Sequence, residues 1–137
     1  MNTQSATFYG TFHITIDLRG RVVMPAKIRE KMPNEVMLVQ VPQTPALLIY
    51  TESGLMGHFE VIKDRFKSDK SFVNLMRDIC PFLMRCQIGA DGRFLVTPYL
   101  RQHAKLKRDC ALIGVGDHLE LWDRTEFQSA AVGNSAQ

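Results

Sequence analysis

The sequence predicts an α+β, β-rich fold in which one module is used twice, and three observations carry that prediction. Gly20-Arg21 followed by Val22-Val23-Met24 returns 72 residues later as Gly92-Arg93 followed by Phe94-Leu95-Val96. At the same offset Leu47-Leu48-Ile49-Tyr50 meets Leu119-Glu120-Leu121-Trp122, and Leu55 meets Phe127. Residues 35–39 match residues 109–113 at an offset of 74, so the second copy carries a two-residue insertion. A unit that returns with so little change in length packs against its twin instead of closing a core alone.

The elements follow in order. Residues 1–7 carry no pattern and are expected to fray. Over residues 8–16, Phe12, Ile14 and Ile16 alternate with His13 and Thr15, as in a half-buried strand. Gly20 supplies the backbone freedom of a tight turn, and Asp17 can accept hydrogen bonds from turn amides. Val22-Val23-Met24 reads as a short buried strand. Pro25 suits the first turn of a helix, where its missing N–H costs nothing. Ile28 and Met32, four apart, give that helix an apolar face, and Pro33-Asn34 ends it. Residues 36–41 and 46–50 are two further strands around a proline-containing turn. Leu55, Phe59, Ile62 and Phe66 form one helical stripe; Phe72, Leu75, Met76 and Ile79 form a second, with Ser68 or Ser71 as its N-cap.

Past Pro81 the design repeats, with strands over residues 82–88 and 93–96 and a helix over about 98–106. Strands over 110–115 and 118–122 follow, joined through Gly114-Val115-Gly116-Asp117. After Phe127 the residues turn small and polar, which predicts a disordered tail. The expected division is a first module over residues 8–52, a helical linker over 53–81, a second module over 82–127 and a tail over 128–137.

At 137 residues the chain suits one domain, or two small modules sharing a core. No apolar run approaches the roughly 20 residues of a membrane span, and the N-terminus lacks the pattern of a secretory leader. Three cysteines, Cys80, Cys86 and Cys110, are odd in number and lack metal-ligand spacing. A cytoplasmic protein with reduced thiols is expected. The net charge of +3 is unevenly spread. Residues 1–50 hold five Lys/Arg against three acids, residues 82–110 six against two, and residues 111–137 one against four. Positive charge thus gathers on the two Gly-Arg-to-helix segments, the footprint of a surface meeting a polyanion. Solubilising charge on exposed turns is the plainer alternative.

The arginines narrow the choice. Arg21 follows the turn and Arg29 lies on the next helix; Arg93 and Arg101 repeat the pair. Guanidinium groups bind phosphate bidentately and read guanine O6/N7 in a major groove. Arg19, Lys27, Arg85, Lys105, Lys107 and Arg108 can add phosphate contacts that position without specifying. Equally, Arg21 can pair with Asp17, four residues back, and only clip the turn.

Asp17-x-x-Gly20-Arg21, with its apolar triplet, Pro25 and Arg29, resembles the swapped-hairpin AbrB module of bacterial transcription factors. Two copies in one chain resemble the MraZ family. The likeness extends to Phe8-Tyr9-Gly10 and to Gly114-Val115-Gly116-Asp117-His118-Leu119-Glu120-Leu121-Trp122. The resemblance implies a pseudo-dimeric double-psi, swapped-hairpin β-barrel with flanking helices. It implies a cytoplasmic, nucleoid-associated repressor of the division and cell-wall gene cluster. Such a protein assembles as a homo-oligomeric ring on short direct repeats in double-stranded DNA upstream of that cluster. DNA-contact roles pass by resemblance to Asp17, Arg21 and Arg29, and more weakly to Arg93 and Arg101. The second copy departs from the pattern: Gly89 stands where the aspartate belongs, Asp91 comes two residues late, Thr97 replaces the proline, and Tyr99 replaces Lys27. The first module is therefore expected to dominate recognition.

Catalysis finds no support. His58-Phe59-Glu60 has a His-x-Glu spacing, but no Pro-Cys-x-x-Cys follows it. His13, His58, His103 and His118 are scattered, and Gly114-x-Gly116 is too short for a nucleotide fingerprint. No cofactor, metal or small-molecule substrate is expected, and no membrane association. The competing readings are a non-catalytic oligomeric scaffold and an antitoxin-like autoregulator acting through protein partners.

Overall fold

Two glycine turns of matching geometry lay out the strands. In the computed structural model, which describes residues 7–42 and 44–135, β1 (Thr11–Thr15) leads through a turn at residues 17–20 into β2 (Arg21–Val23). Then come α1 (Ala26–Arg29), β3 (Glu35–Val39), β4 (Leu47–Tyr50), α2 (Glu52–Arg65) and α3 (Asp69–Ile79). A 3-10 turn at Cys80–Phe82 opens the second pass: β5 (Met84–Gln87), β6 (Arg93–Leu95), α4 (Pro98–His103), β7 (Asp109–Gly114), β8 (Leu119–Asp123) and α5 (Arg124–Ser135). The architecture is α+β, with its strands in antiparallel sheets.

Six strands form one sheet in the order β1-β7-β8-β4-β3-β5, and β2 and β6 form a separate two-stranded ribbon. The first strand of each pass thus pairs with the third strand of the other. Thr15 lies opposite Asp109, and Gln87 lies opposite Glu35. These are the same pair once the offsets of 72 and 74 are applied. In the ribbon Val22 faces Phe94, and in the main sheet Leu48 faces Glu120, each residue opposite the one 72 positions away. The registers map onto themselves when the two passes are exchanged.

The closed barrel expected from the sequence does not form. β1 meets β2 only at the isolated bridge Ile16↔Val22, and β1 and β5 remain the edges of the main sheet. The reason is length: β2 and β6 have three residues each and direct their ladder at one another.

Neither pass owns its core. Val22, Met24 and Ile28 pack with Phe94, Val96 and Leu100 in one cluster that also takes Leu38, Ile49, Leu112 and Leu121. On the other face of β3 and β4, Met37, Val39, Leu48 and Tyr50 meet Leu55 of α2 and Ile79 of α3. Those are the only stripe residues that are fully buried; Phe59, Leu75 and Met76 are covered in part. Thr51 Oγ1 caps α2 at Gly54 N (3.0 Å), and Ser68 Oγ caps α3 at Ser71 N (3.2 Å), which selects Ser68 from the two candidate caps.

The tail read as disordered is helical in its described part. Asp123, 3% exposed, accepts hydrogen bonds through Oδ2 from Thr125 N (3.1 Å) and Glu126 N (3.2 Å), and Trp122 meets the Phe127 ring edge-on at 5.7 Å. A buried N-cap and an aromatic contact start a helix that composition alone did not reveal. Residues 136–137 of that tail and residues 1–6 of the expected frayed start lie outside the described residues. The second short helix ends at His103 and not near residue 106, because Lys105 takes a left-handed φ of 55°.

Truncating Phe94, 2% exposed in the shared cluster, removes an aromatic ring from a core that both passes need. Phe94→Ala is expected to lower unfolding free energy by about 3–5 kcal/mol in urea titrations. Leu18→Ala, at a fully exposed position, should leave it unchanged; equal effects would contradict a shared core.

Candidate nucleic-acid interface

The first turn is built by one carboxylate. Asp17 Oδ1 accepts from Arg19 N and Arg21 N, both at 2.9 Å, and Oδ2 accepts from Arg21 Nε at 3.1 Å. Gly20 closes the turn by donating to Asp17 O (3.0 Å) with a φ of 85°. A Cβ there would lie 2.7 Å from Val96 O, so only glycine fits. Hydrogen bonds from the Arg21 amide, then from Arg19, hold the Asp17 carboxyl below the ordinary aspartate range despite some desolvation.

The second turn reaches the same result by another route. Gly92 closes it with a φ of 86°, donating to Gly89 O (2.8 Å). Asp91 Oδ1 accepts from Arg93 N at 3.0 Å, and Oδ2 accepts from Arg93 Nη1 at 2.7 Å. The aspartate that looked two residues late therefore replaces the missing one. Gly89 makes room for it, since a Cβ there would approach Asp91 Oδ1 to 3.0 Å. The signal was in the sequence as Asp-x-x-Gly becoming Gly-x-Asp-Gly, with the aspartate at the place of Arg19.

The turns are tied across the two passes. Met24 N donates to Gly92 O (2.9 Å) and Val96 N to Gly20 O (2.8 Å). Arg29 Nη2 donates to Ala90 O (3.0 Å) and lies over Gly92. Arg101 Nε donates to Val96 O (3.1 Å) and lies over Gly20. Arg29 and Arg101 are half-buried, each packed on the turn of the opposite pass.

These ties hold the β2–β6 ribbon with Val22 and Phe94 inward and Arg21, Val23, Arg93 and Leu95 outward. Arg21 stands opposite Leu95, and Arg93 opposite Val23, so the two arginines lie diagonally on one outer face. Their side chains are 43% and 46% exposed. Asp17 engages Arg21 through Nε, which leaves the two terminal nitrogens of the fork for an incoming acceptor; Asp91 occupies one terminal nitrogen of Arg93. As exposed pairs these add little stability, and their effect is to orient guanidinium groups. Arg19 at the tip of the turn and Lys27 on α1 are exposed nearby in sequence.

Arg85, read from sequence as a phosphate ligand, is committed elsewhere. Its guanidinium donates to Glu52 Oε2 (2.7 Å) and Oε1 (3.0 Å) and to Glu35 Oε1 (2.9 Å), and these bonds push its pKa up. Two carboxylates cancel its charge. The histidines scattered in sequence are partly gathered: His118 Nδ1 lies 2.7 Å from Asp117, His58 Nδ1 lies 3.5 Å from the same carboxylate, and Tyr50 stacks on His118 at 4.5 Å. No group of three or more His, Cys, Asp or Glu among the described residues is placed to hold a metal ion. No described helix is long and apolar enough to cross a membrane.

Two predictions follow from the turns. Gly20→Ala must take a left-handed φ and push against Val96 O, so a loss of at least about 2 kcal/mol is expected in thermal or urea unfolding. Because the Asp17 and Asp91 pKa values are lowered in the fold, their hydrogen bonds are complete above the ordinary aspartate range. They are lost as pH falls through the lowered values. The amide resonances of Arg19, Arg21 and Arg93 should therefore shift below the range of a free aspartate in an NMR titration, and a midpoint at or above it would contradict the assignment.

Comparison with known proteins gives a consistent result. The family described as "MraZ protein, putative antitoxin-like" matches residues 84–133. The chain is similar to the transcriptional regulator MraZ of Actinobacillus pleuropneumoniae serotype 5b, at 30% identity over 95% of this chain and 91% of the relative. It is 30% identical to that of Caldanaerobacter subterraneus subsp. tengcongensis over 87% and 82% of the two chains. With that of Lachnoclostridium phytofermentans it shares 28% identity over 93% and 89%.

Proposed function

The chain belongs to the MraZ family of transcriptional regulators, and from that premise we propose that it binds duplex DNA sequence-specifically through the β2–β6 ribbon. It acts as a repressor of the division and cell-wall gene cluster, at the nucleoid in the cytoplasm. Its sites are short direct repeats upstream of that cluster, engaged by several subunits of a homo-oligomeric ring. Catalysis has no part in this reading.

The observation that supports it best is the diagonal pair Arg21 and Arg93 on the outer face of the ribbon, each oriented by its own aspartate. A two-stranded ribbon has the right width for a major groove, where an arginine fork reads guanine O6 and N7. Arg21, with both terminal nitrogens open, is the principal reader, and Asp17 sets its direction. Arg93 is the second reader. Arg19 and Lys27 meet backbone phosphates. Arg29 and Arg101 join them with the N–H groups not given to Ala90 and Val96. The architecture that presents these residues is a pair of swapped-hairpin AbrB-like modules, residues 8–52 and 82–127, joined by the helices of residues 53–81. The self-mapping strand registers support that division.

A second reading has one observation in its favour, the antitoxin-like description of the matching family. In it the chain regulates through a protein partner.

Fluorescence anisotropy with DNA from upstream of the chain's own gene, against scrambled DNA and across a salt series, tests both. Tight binding to the native fragment alone, with a steep salt slope, is expected. Arg21→Ala should weaken it roughly 10- to 100-fold, and Arg93→Ala less. A larger loss at Arg93 would overturn the ranking, and no binding to either DNA would favour the protein-partner reading.

A further inference from the structure

The two passes are unequal where the insertion falls. The first runs Arg29-Glu30-Lys31-Met32-Pro33-Asn34-Glu35, and the second Arg101-Gln102-His103-Ala104-Lys105-Leu106-Lys107-Arg108-Asp109. Backbone hydrogen bonds fix the correspondence: Ile16 N donates to Arg108 O (2.9 Å) as Ile88 N donates to Asn34 O (2.6 Å). Met32 and Leu106 both pack, partly buried, against the main core. The extra length is absorbed around Lys105, whose φ is 55°. Lys107 and Arg108 therefore stand where the first pass has Pro33 and Asn34.

This substitution changes the surface beside one turn only. Lys107 and Arg108, with Arg101 and the first-turn residues Asp17 and Leu18, line a cleft of about 590 Å³. The Asp17 carboxylate in that wall is already turned to the Arg19 and Arg21 amides and Arg21 Nε. The backbone at Lys107 is pinned, its N donating to Asp123 Oδ1 (3.4 Å) and its O accepting from Cys110 Sγ (3.7 Å), and the Arg101 side chain donates from Nε to Val96 O. The held Arg101 guanidinium and the pinned backbone beneath the exposed Lys107 and Arg108 side chains meet part of the ordering cost of an anion in advance. Of the other unequal positions, Tyr99 in place of Lys27 does not line the cleft; its hydroxyl accepts from Gln40 Nε2 (3.2 Å).

We infer that the cleft beside the first turn seats a DNA backbone phosphate on Arg101, Lys107 and Arg108, so that the pseudo-symmetric ribbon engages duplex DNA in one orientation. The inference rests on the DNA-binding reading above. The unequal arginines Arg21 and Arg93 only bias a ribbon of two near-equal ends toward one way round on a duplex, whereas one anchored end fixes it. A polar subunit suits sites that repeat in one direction; a symmetric one suits a palindrome.

The test places an iron-chelate cleavage probe at equivalent exposed positions of the two passes, Glu30→Cys or Gln102→Cys, in the full chain carrying Cys80→Ser, since Cys86 and Cys110 are buried. Bound to the upstream duplex, the two probes should cut at different, non-overlapping positions. Coincident cut patterns would mean two interchangeable orientations and would overturn the inference while leaving DNA binding intact. Absence of wild-type binding would instead remove the DNA reading and the inference with it. Lys107→Ala with Arg108→Ala should reduce the salt slope by about 1, the value for one phosphate, and bring the two cut patterns toward overlap. Pro33→Lys with Asn34→Arg, which gives both turns a basic pair, should bring them toward overlap without loss of affinity. Patterns that stay as distinct as in the wild type in either double variant would show that polarity has another origin.

Discussion

The structure depends on a reciprocal exchange of hydrogen bonds between two glycine turns. Met24 N reaches Gly92 O, and Val96 N reaches Gly20 O, so neither turn is complete without the other pass of the chain. The short strands β2 and β6 are held by the same exchange, because three residues apiece leave each without a stable partner of its own. Everything outward of that ribbon, including both exposed arginines, takes its position from it.

Two different residue arrangements satisfy one geometric demand at the turns. In the first, the aspartate precedes the turn and collects two amides and an arginine Nε. In the second, the aspartate sits inside the turn, and a glycine stands where its side chain now needs space. Each keeps an arginine aimed outward by a charge-assisted bond. The difference lies in which guanidinium edge is consumed, and that makes the two arginines chemically unequal as hydrogen-bond donors.

Charge alone would have misassigned several of these groups. Arg85 is neutralised by Glu35 and Glu52, while Arg29 and Arg101 lie over the opposite turns' glycines with nitrogens on backbone carbonyls. A count of positive residues treats all of them as equal contributors to a polyanion surface. Geometry separates cations that face outward from Arg85, whose charge is cancelled, and from Arg29 and Arg101, which give part of each guanidinium to the fold.

The sequence by itself determined the duplication, the two turns and most strands, because these are local. A left-handed glycine, an alternating apolar run and a proline at a helix start each need only near neighbours to act. The candidate arginines were legible for the same reason, being placed by fixed spacing from the turns. Tertiary structure alone decided which strand pairs with which. Two passes with the same periodicity offer the same edges, and only three-dimensional packing chose β1 with β7 and β5 with β3 over pairing within each pass. It also decided that the ladder stops short of a closed barrel, that Asp91 stands in for an aspartate at Gly89, and that Asp123 starts a helix where composition suggested disorder. The barrel turns on which distant strands meet, whereas the Asp91 and Asp123 contacts span only two or three residues, and spacing and composition left open which partner each carboxylate would take.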